Sequence, residues 1–370
     1  MDSRTRLLNT LSGKAVDRIP VSPFIWSNFV NEYFKRQLAD QELDEACFKV
    51  YKDLGFDTML RTCNIAEATD ECFLDSRNWQ VELLKKQISE KERHEITIIK
   101  TPERTLTQVK SFQRITPYEE VNANIECFIK SKEDFHQFIK YQPQVPTYDC
   151  SRITRSKQML GNEGITAPWT QGIFNYLGDL RKPENLVLDM IMDPLFYHQM
   201  MTYFTDRWVN ISAQFAKAGA DVLCVSGNIA TATFLGKEYF EEFVLEYEKR
   251  HIVAIKEAGA YILYHNCGDA NALYPTYNRL GPDIFESFVE PPYGDTDLDY
   301  ALQTLDKNIV MIGNIDQIDF LMHATPNEVQ SRCKCLMDYM KERGRFVLGT
   351  TDYLSEGTPI ENLVAMKECV

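Results

Sequence analysis

The sequence lacks the features that mark membrane, secreted or nucleic-acid-binding proteins. No apolar run approaches the roughly 20 residues of a membrane span, and the first residues lack the apolar core of a signal peptide. Lysine and arginine number 40 against 54 aspartates and glutamates, a net charge of −14, so a basic footprint for nucleic acid is not expected. We therefore expect a cytoplasmic protein that binds neither membranes nor nucleic acid.

A disulfide framework is also missing. The ten cysteines are scattered, and only Cys333 and Cys335 lie close together. This usage is typical of reduced thiols in the cytoplasm. Cys333 and Cys335 fall in a predicted helix over 329–340, where residues two apart point to different faces, so we interpret them as structural. Five histidines have no partner at ligand spacing and receive no role: His94, His136, His198, His251 and His323.

What the sequence does contain is a regular alternation of apolar strands and helices. Eight strand candidates occur near residues 20, 57, 166, 222, 262, 285, 310 and 347. Eight parallel strands alternating with helices predict a (β/α)₈ barrel, a fold that often exceeds about 250 residues. Residues 1–370 are therefore predicted to form one barrel domain, preceded by an N-terminal helical extension over 3–13.

One long segment, about 62–160, interrupts this alternation. Within it, residues 95–100 and 105–110 are rich in β-formers, and residues 101–104 separate them as a turn. The pattern predicts a β-hairpin inserted into the barrel, followed by a helix near 132–140.

The stretch 261–268, which reads Y-I-L-Y-H-N-C-G, carries the strongest chemical signal. A short apolar run leads into His265 and Cys267 and ends in Gly268, as expected for a buried strand that leaves the core. Strand carboxyl ends collect the reacting groups of such barrels, and imidazole nitrogen and thiolate sulfur are both zinc ligands. The alternative is structural, because a buried Cys often packs as a small hydrophobe and a strand-end His can simply bond to backbone.

Further polar residues follow the other strands. Asp352 follows the eighth strand and could supply a third metal ligand, although capping a turn explains it equally well. Asn228, Glu290 and Asn314 follow strands four, six and seven, and are candidates for catalytic polar contacts.

These residues resemble landmarks of the uroporphyrinogen decarboxylase superfamily, which is built on a (β/α)₈ barrel. The resemblance spans nearly the whole chain in order. Its landmarks are Arg4-x-Arg6-Leu7-Leu8, Gly13-Lys14, Asp17-Arg18-Ile19-Pro20, Gly219-Ala220-Asp221, His265-x-Cys267-Gly268, Gly313-Asn314-Ile315-Asp316 and Gly357-Thr358-Pro359-x-Glu361-Asn362.

Two branches of the superfamily differ in chemistry. The decarboxylases carry an arginine-rich segment after the first strand to hold a polycarboxylate, whereas residues 21–29 here contain no Arg or Lys. The other branch comprises zinc methyltransferases that act with corrinoid proteins and carry His-x-Cys-Gly plus a Cys after the last strand. His265 and Cys267 match this pattern, but the third position, counted back from Gly357, is Asp352.

The resemblance implies a Zn²⁺ site at His265, Cys267 and Asp352, and a corrinoid (cobalamin) carried by a partner protein. Because a carboxylate donates less charge than a thiolate, it leaves a stronger Lewis acid and favours an oxygen-containing substrate. The leading hypothesis is therefore methyl transfer from a small methylated substrate, such as a methoxyaromatic, to the cobalt of the partner. The aromatic residues placed to line a substrate pocket, or to pack as core, are Trp26, Phe29, Trp169, Tyr293 and Tyr353.

Three alternatives remain open at this stage. The enzyme could pass a methyl group from a corrinoid to a thiol, which would use the same fold and metal. It could be a metal-free decarboxylase acting on a smaller acid, or a non-catalytic binding barrel. A homodimer is one assembly open to such a barrel.

Overall fold

The computed structural model describes residues 1–65 and 74–369. Its helices span Ser3–Ser12, Ser27–Tyr33, Asp40–Asp53, Lys132–Tyr141, Ser151–Leu160, Ile173–Arg181, Pro183–Met192, Pro194–Lys217, Ala232–Tyr239, Leu245–Glu257, Tyr274–Leu280, Leu298–Thr304, Phe320–His323, Pro326–Met340 and Ile360–Lys367, with a π-helical turn at Phe240–Val244 and a 3-10 turn at Asn271–Leu273. None of these helices is long and apolar enough to cross a membrane.

The barrel is a closed ring of parallel strands. The bounds of the strands that follow residues 20–22 are Thr58–Leu60, Gly164–Thr166 with its continuation Trp169–Thr170, Val222–Ser226, Tyr261–His265, Ile284–Ser287, Val310–Ile315 and Phe346–Thr350. Residues 20–22 close the ring, because Ser22 N donates to Leu348 O (2.8 Å) and Asp57 N donates to Val21 O (2.8 Å). The predicted eight-stranded (β/α)₈ barrel is confirmed.

Alternate residues of seven of the eight barrel strands form an apolar layer in the barrel interior. Met59, Ile165, Cys224, Leu263 and Val310 belong to one buried apolar cluster inside the ring. Leu7 and Leu11 of the first helix belong to the same cluster, so this helix closes the amino-terminal end of the barrel. The carboxyl ends of the strands therefore form the open end of the barrel.

The helices cover the outside of the ring through a second, larger apolar cluster. In the long helix Pro194–Lys217, the side chains of Phe204, Trp208, Ile211 and Phe215 are all buried, as their helical spacing predicts.

The inserted segment is larger than the predicted hairpin. Strands Glu92–Lys100 and Thr105–Arg114 are the predicted pair, but Gln80–Gln87 and Glu120–Glu126 flank them in a four-stranded antiparallel sheet. Gln80–Gln87 was missed because its apolar residues do not alternate with polar ones. Glu120–Glu126 does alternate, with Val121, Ala123 and Ile125 between polar residues, so this strand could have been predicted from the sequence. Residues 66–73, at the start of the predicted insertion, lie outside the described residues.

Candidate metal centre

The candidate site is an extension of the inward-facing rows of the barrel. His265 stands two residues after Leu263, and Glu286 stands two residues after Ile284. Because side chains alternate along a strand, both continue rows that face the barrel interior. His265 and Glu286 are also register partners on neighbouring strands. The apolar layers below therefore place an imidazole beside a carboxylate at the open end.

Three potential metal ligands converge there. One ligand atom each from His265, Cys267 and Asp352 lies within 4.8 Å of the others. The Nε2 atom of His265 is 3.8 Å from Oδ2 of Asp352. His265 is buried, whereas Cys267 and Asp352 are partly exposed. The structure thus brings together the three residues that the sequence predicted as ligands, with two of them open toward the barrel mouth.

Glu286 binds the imidazole of His265, and Arg61 in turn binds Glu286. The Nδ1 atom of His265 lies 2.9 Å from Oε2 of Glu286, and the carboxylate can only accept, so Nδ1 carries the proton. Arg61 binds both Glu286 oxygens, one of them at 2.7 Å, and both side chains are about 1% exposed. This arrangement directs Nε2 of the ring toward Asp352, as in carboxylate–histidine–metal sites.

Charge around the imidazole changes its pKa. Burial disfavours the charged ring, but hydrogen bonds to Cys267 and Glu286 and the charge of Asp352 outweigh burial and raise the pKa of His265 to about 10. Burial likewise disfavours an ionised Glu286, but the charge and hydrogen bonds of Arg61 lower its pKa to about 2. The charged ring thus carries a second proton on Nε2, the atom that faces Asp352, and a metal cation bound there would replace this proton.

The donor set fits zinc. Nitrogen, sulfur and carboxylate oxygen are all zinc ligands, and three protein ligands leave the fourth position open, as in catalytic sites. Four-coordinate zinc holds its ligand atoms about 3.3–3.8 Å apart, so the spread of up to 4.8 Å must close slightly.

The two oxygens of Asp352 face different groups. Oδ1 accepts from the backbone N–H of Tyr353 (2.7 Å), which is the next residue and not the N–H two or three positions further on that a cap would bind. Oδ2 is the oxygen that faces His265. The side-chain carbonyl of Gln317 also accepts from the backbone N–H of Asp352 (3.1 Å) and fixes the start of this loop. These contacts do not support the capping interpretation, and the ligand interpretation stays a prediction.

An aromatic wall stands beside the three ligands. Its centre is Phe24, which the sequence analysis did not single out. The Phe24 ring stacks on Trp169 (5.8 Å between centroids) and meets Trp26 and Tyr353 edge-on at 5.9 Å each. Trp169 also meets the His265 ring edge-on at 5.6 Å. Three of the five predicted substrate-binding aromatics are thus assembled around one ring at the site.

The remaining predicted site residues lie elsewhere. Phe29 is buried in the core between barrel and helices, and Asn228 is exposed in the turn after the fourth strand. Tyr293, Glu290 and Asn314 line a cavity of about 440 Å³ at the ends of strands six and seven, whose lining includes Thr351 but none of the three ligand residues. There the Asn314 amide donates to Glu290 (3.0 Å), which also accepts from Arg332.

The inserted sheet reaches the site through its last turn. Glu119 accepts from the Tyr353 hydroxyl (2.7 Å), and Glu356 accepts from the backbone N–H of Tyr118 (3.0 Å). Burial and the Glu119 hydrogen bond raise the pKa of Tyr353. These contacts fasten the turn to the loop that carries Asp352.

Sequence reasoning missed Arg61, Glu286 and Phe24. A signal for the first two was present, since each is a charged residue on an inward-facing row two positions after a buried apolar residue. Fully buried charges are rare unless they are paired. Phe24 gave no such signal, because an aromatic ring near a strand is more often core.

Comparison with known proteins identifies the family and agrees with the barrel fold. The family model described as Uroporphyrinogen decarboxylase (URO-D) matches residues 115–370. The chain therefore belongs to the uroporphyrinogen decarboxylase family. A solved structure titled "methyltransferase from Methanosarcina mazei" matches with a TM-score of 0.73 at 14% identity, over 100% of this chain and 98% of that one. This likeness shows the fold.

Curated relatives fall into both branches of the family. A methylated-thiol–coenzyme M methyltransferase of Methanosarcina mazei is 29% identical over 202 residues, 54% of this chain and 50% of that protein. A methylcobamide:CoM methyltransferase of the same organism is 26% identical over 169 residues, 44% and 47% of the two chains. A uroporphyrinogen decarboxylase of Prochlorococcus marinus is 22% identical over 268 residues, 72% and 68%. The chain spans about half the length of the two methyltransferases.

Proposed function

We propose that this protein is a zinc methyltransferase that moves a methyl group from a small methylated substrate to the cobalt of a separate corrinoid protein. The observation that carries the proposal is the convergence of His265, Cys267 and Asp352 at the open end of the barrel. The similarity to proteins named methylcobamide and methylated-thiol methyltransferases supports a corrinoid partner.

The presence of Asp352 favours an oxygen-containing methyl donor, such as a methoxyaromatic. Zinc bound at this site would polarise the heteroatom that carries the methyl group and make it a better leaving group. With a carboxylate in place of a second thiolate, the donor set is harder and suits oxygen better than sulfur.

The surrounding residues have defined functions in this proposal. Glu286 and Arg61 orient His265 so that Nε2 faces the metal position. Phe24 and Trp169 offer stacked rings beside it, which suit a flat aromatic substrate and exclude water from one side. Because the site opens at the carboxyl ends of the strands, the corrinoid protein must dock on that end of the barrel.

A second candidate, methyl transfer from a corrinoid to a thiol, is favoured by the names of the methyltransferase relatives. Decarboxylation of a polycarboxylate is less well supported. Residues 21–29 contain no Arg or Lys, and both guanidinium ends of Arg61 are already bound to Glu286. Neither residues 21–29 nor Arg61 therefore offers a guanidinium end to a substrate carboxylate.

The test measures methyl transfer in both directions with free cobalamin as the probe. In one assay the zinc-loaded protein receives cob(I)alamin and a methoxyphenol, and in the other it receives methylcobalamin and a thiol. The proposal expects formation of methylcobalamin and a free phenol in the first assay, lost in His265→Ala. Turnover only in the thiol assay would favour the second candidate. Release of carbon dioxide from an acid substrate, retained in His265→Ala, would overturn both.

A further inference from the structure

The strand Gln80–Gln87 forms one edge of the inserted sheet. It pairs on one side with Glu92–Lys100; on its other side, no strand of the described residues pairs with it. Leu83 and Leu84 are 46% and 43% exposed. A long exposed edge with apolar side chains is a template for pairing with another strand.

Backbone contacts show which groups point outward. Ile88 N donates to Glu92 O (2.9 Å) on the neighbouring strand. Because alternate residues of a strand address the same neighbour, residues 82, 84 and 86 also bond inward. Val81 N instead donates to Asp75 on the outer side (3.2 Å). The N–H and C=O groups of Leu83 and Lys85 therefore face outward.

This pattern restricts how the strand can pair antiparallel with a copy of itself. Outward-facing residues must oppose each other, so the permitted registers differ by steps of two. With Leu84 opposite its own copy, Leu83 opposes Lys85 and exchanges backbone hydrogen bonds with it. In the same register Glu82 opposes Lys86 twice, once on each side of the two-fold axis. In the next permitted register in either direction, Leu84 stands opposite Glu82 or Lys86, and both charge pairs are lost.

The other edge of the sheet does not favour self-pairing. In Glu120–Glu126, the register centred on Ala123 places Glu120 opposite Glu126, so like charges meet. This strand is also fastened to the barrel, because the Asn124 amide donates to Asp179 (2.8 Å). Only the Gln80–Gln87 edge combines an exposed apolar centre with complementary charges.

We propose that two copies of this chain associate through their Gln80–Gln87 strands. The two inserted sheets would then form one continuous sheet across a two-fold axis, with the Leu84 side chains in contact at its centre. The interface is isologous, so each charge pair occurs twice. Because cross-strand charge pairs are individually weak and each copy contributes a single strand to the contact, the dimer should be in rapid, concentration-dependent equilibrium.

A charge-swap series tests this register by sedimentation equilibrium of the full-length protein. Glu82→Lys places like charges opposite each other and should raise the dimer dissociation constant at least about tenfold. The double variant with Lys86→Glu restores opposite charges and should restore association. Both variants lose the contact of Glu82 with Lys100 (2.9 Å) equally, so only the pairing between copies separates them. Val121→Lys, on the other edge, should leave association unchanged.

A cross-link locates the contact. Leu84→Cys should form an interchain disulfide under mild oxidation, because directly opposed non-hydrogen-bonded residues stand at about 4.5 Å between Cα atoms. Val121→Cys, a similarly exposed position on the other edge, should not exceed the background of the unaltered protein. A protein that is monomeric at all concentrations up to about 100 μM overturns the proposal, since even weak specific pairs associate in that range. A double variant as weak as Glu82→Lys overturns it as well.

Discussion

His265 and Glu286 lie opposite each other on neighbouring barrel strands, with the Nδ1 atom of the ring 2.9 Å from a carboxylate oxygen. This contact keeps a proton on Nδ1, so Nε2 is the nitrogen that can exchange its proton for a metal. Arg61 in turn neutralises Glu286 in the barrel interior. The candidate metal centre therefore depends on a buried charge chain that starts at the second strand and ends at the fifth.

Breaking this chain should destabilise the protein. Glu286→Gln removes the charge that compensates the buried Arg61, and we expect the free energy of unfolding to fall by about 3–5 kcal/mol. Urea denaturation monitored by circular dichroism measures it. The matched control is Glu290→Gln, whose partly exposed pair with Arg332 should change stability by less than about 1 kcal/mol. Equal losses in the two variants would contradict this prediction.

The same variant should weaken zinc binding. Because Glu286 orients His265, its loss should lower zinc affinity by about 10- to 100-fold without removing any ligand. Competition against a chromophoric zinc chelator gives the affinity. An unchanged zinc affinity in Glu286→Gln would show that the carboxylate does not position the ligand.

The third ligand can be tested by exchanging its donor atom. Asp352→Ala leaves two protein ligands, so zinc affinity should fall at least about tenfold. Asp352→Cys should retain zinc, but the softer donor set should lower methyl transfer from an oxygen donor relative to a thiol substrate. The measurements are chelator competition and the two cobalamin assays. Wild-type zinc affinity in Asp352→Ala would exclude this residue from the metal site.

Zinc binding should release protons and strengthen with pH. His265 has a pKa of about 10 in the metal-free protein, whereas metal binding requires the neutral ring. Below pH 10 the metal must therefore displace one proton from His265, so affinity should rise by about tenfold per pH unit from this group alone. Calorimetry in two buffers of different ionisation enthalpy counts the protons released. Binding that releases none would contradict a site at His265.

Glu248, a buried acid outside the site, should make the free energy of unfolding fall as pH rises. Burial raises the pKa of Glu248 to about 8, although the backbone N–H of Phe174 donates to it (3.1 Å). The folded state thus holds a proton that the unfolded state loses near pH 4.5, and stability falls as pH rises toward 8. The free energy of unfolding of Glu248→Gln, relative to that of the original protein, should rise by up to about 1.4 kcal/mol per pH unit between pH 4.5 and about 8. A pH-independent difference would contradict this prediction.

Much of the architecture could be predicted because strand order and inward alternation are local properties. The eight strands and His265-x-Cys267 were predictable because each lies within or directly after an apolar run. The position of Phe24 was not, because residues 20–22 join the ring through only a few contacts to strands distant in sequence. Likewise, Glu290 and Asn314 follow barrel strands as predicted, yet the cavity that they line is not lined by the three ligand residues. Sequence order predicts the open end of the barrel, but not which side chains there meet.

Metal content tests the central claim most directly. Elemental analysis of the protein purified without chelators should find about one zinc per chain, and a His265→Ala, Cys267→Ala variant should retain almost none because only Asp352 remains as a ligand. The variant must first be shown to fold by circular dichroism. A folded wild-type protein that holds no zinc after dialysis against a zinc salt, or a double variant that retains it, would contradict the account.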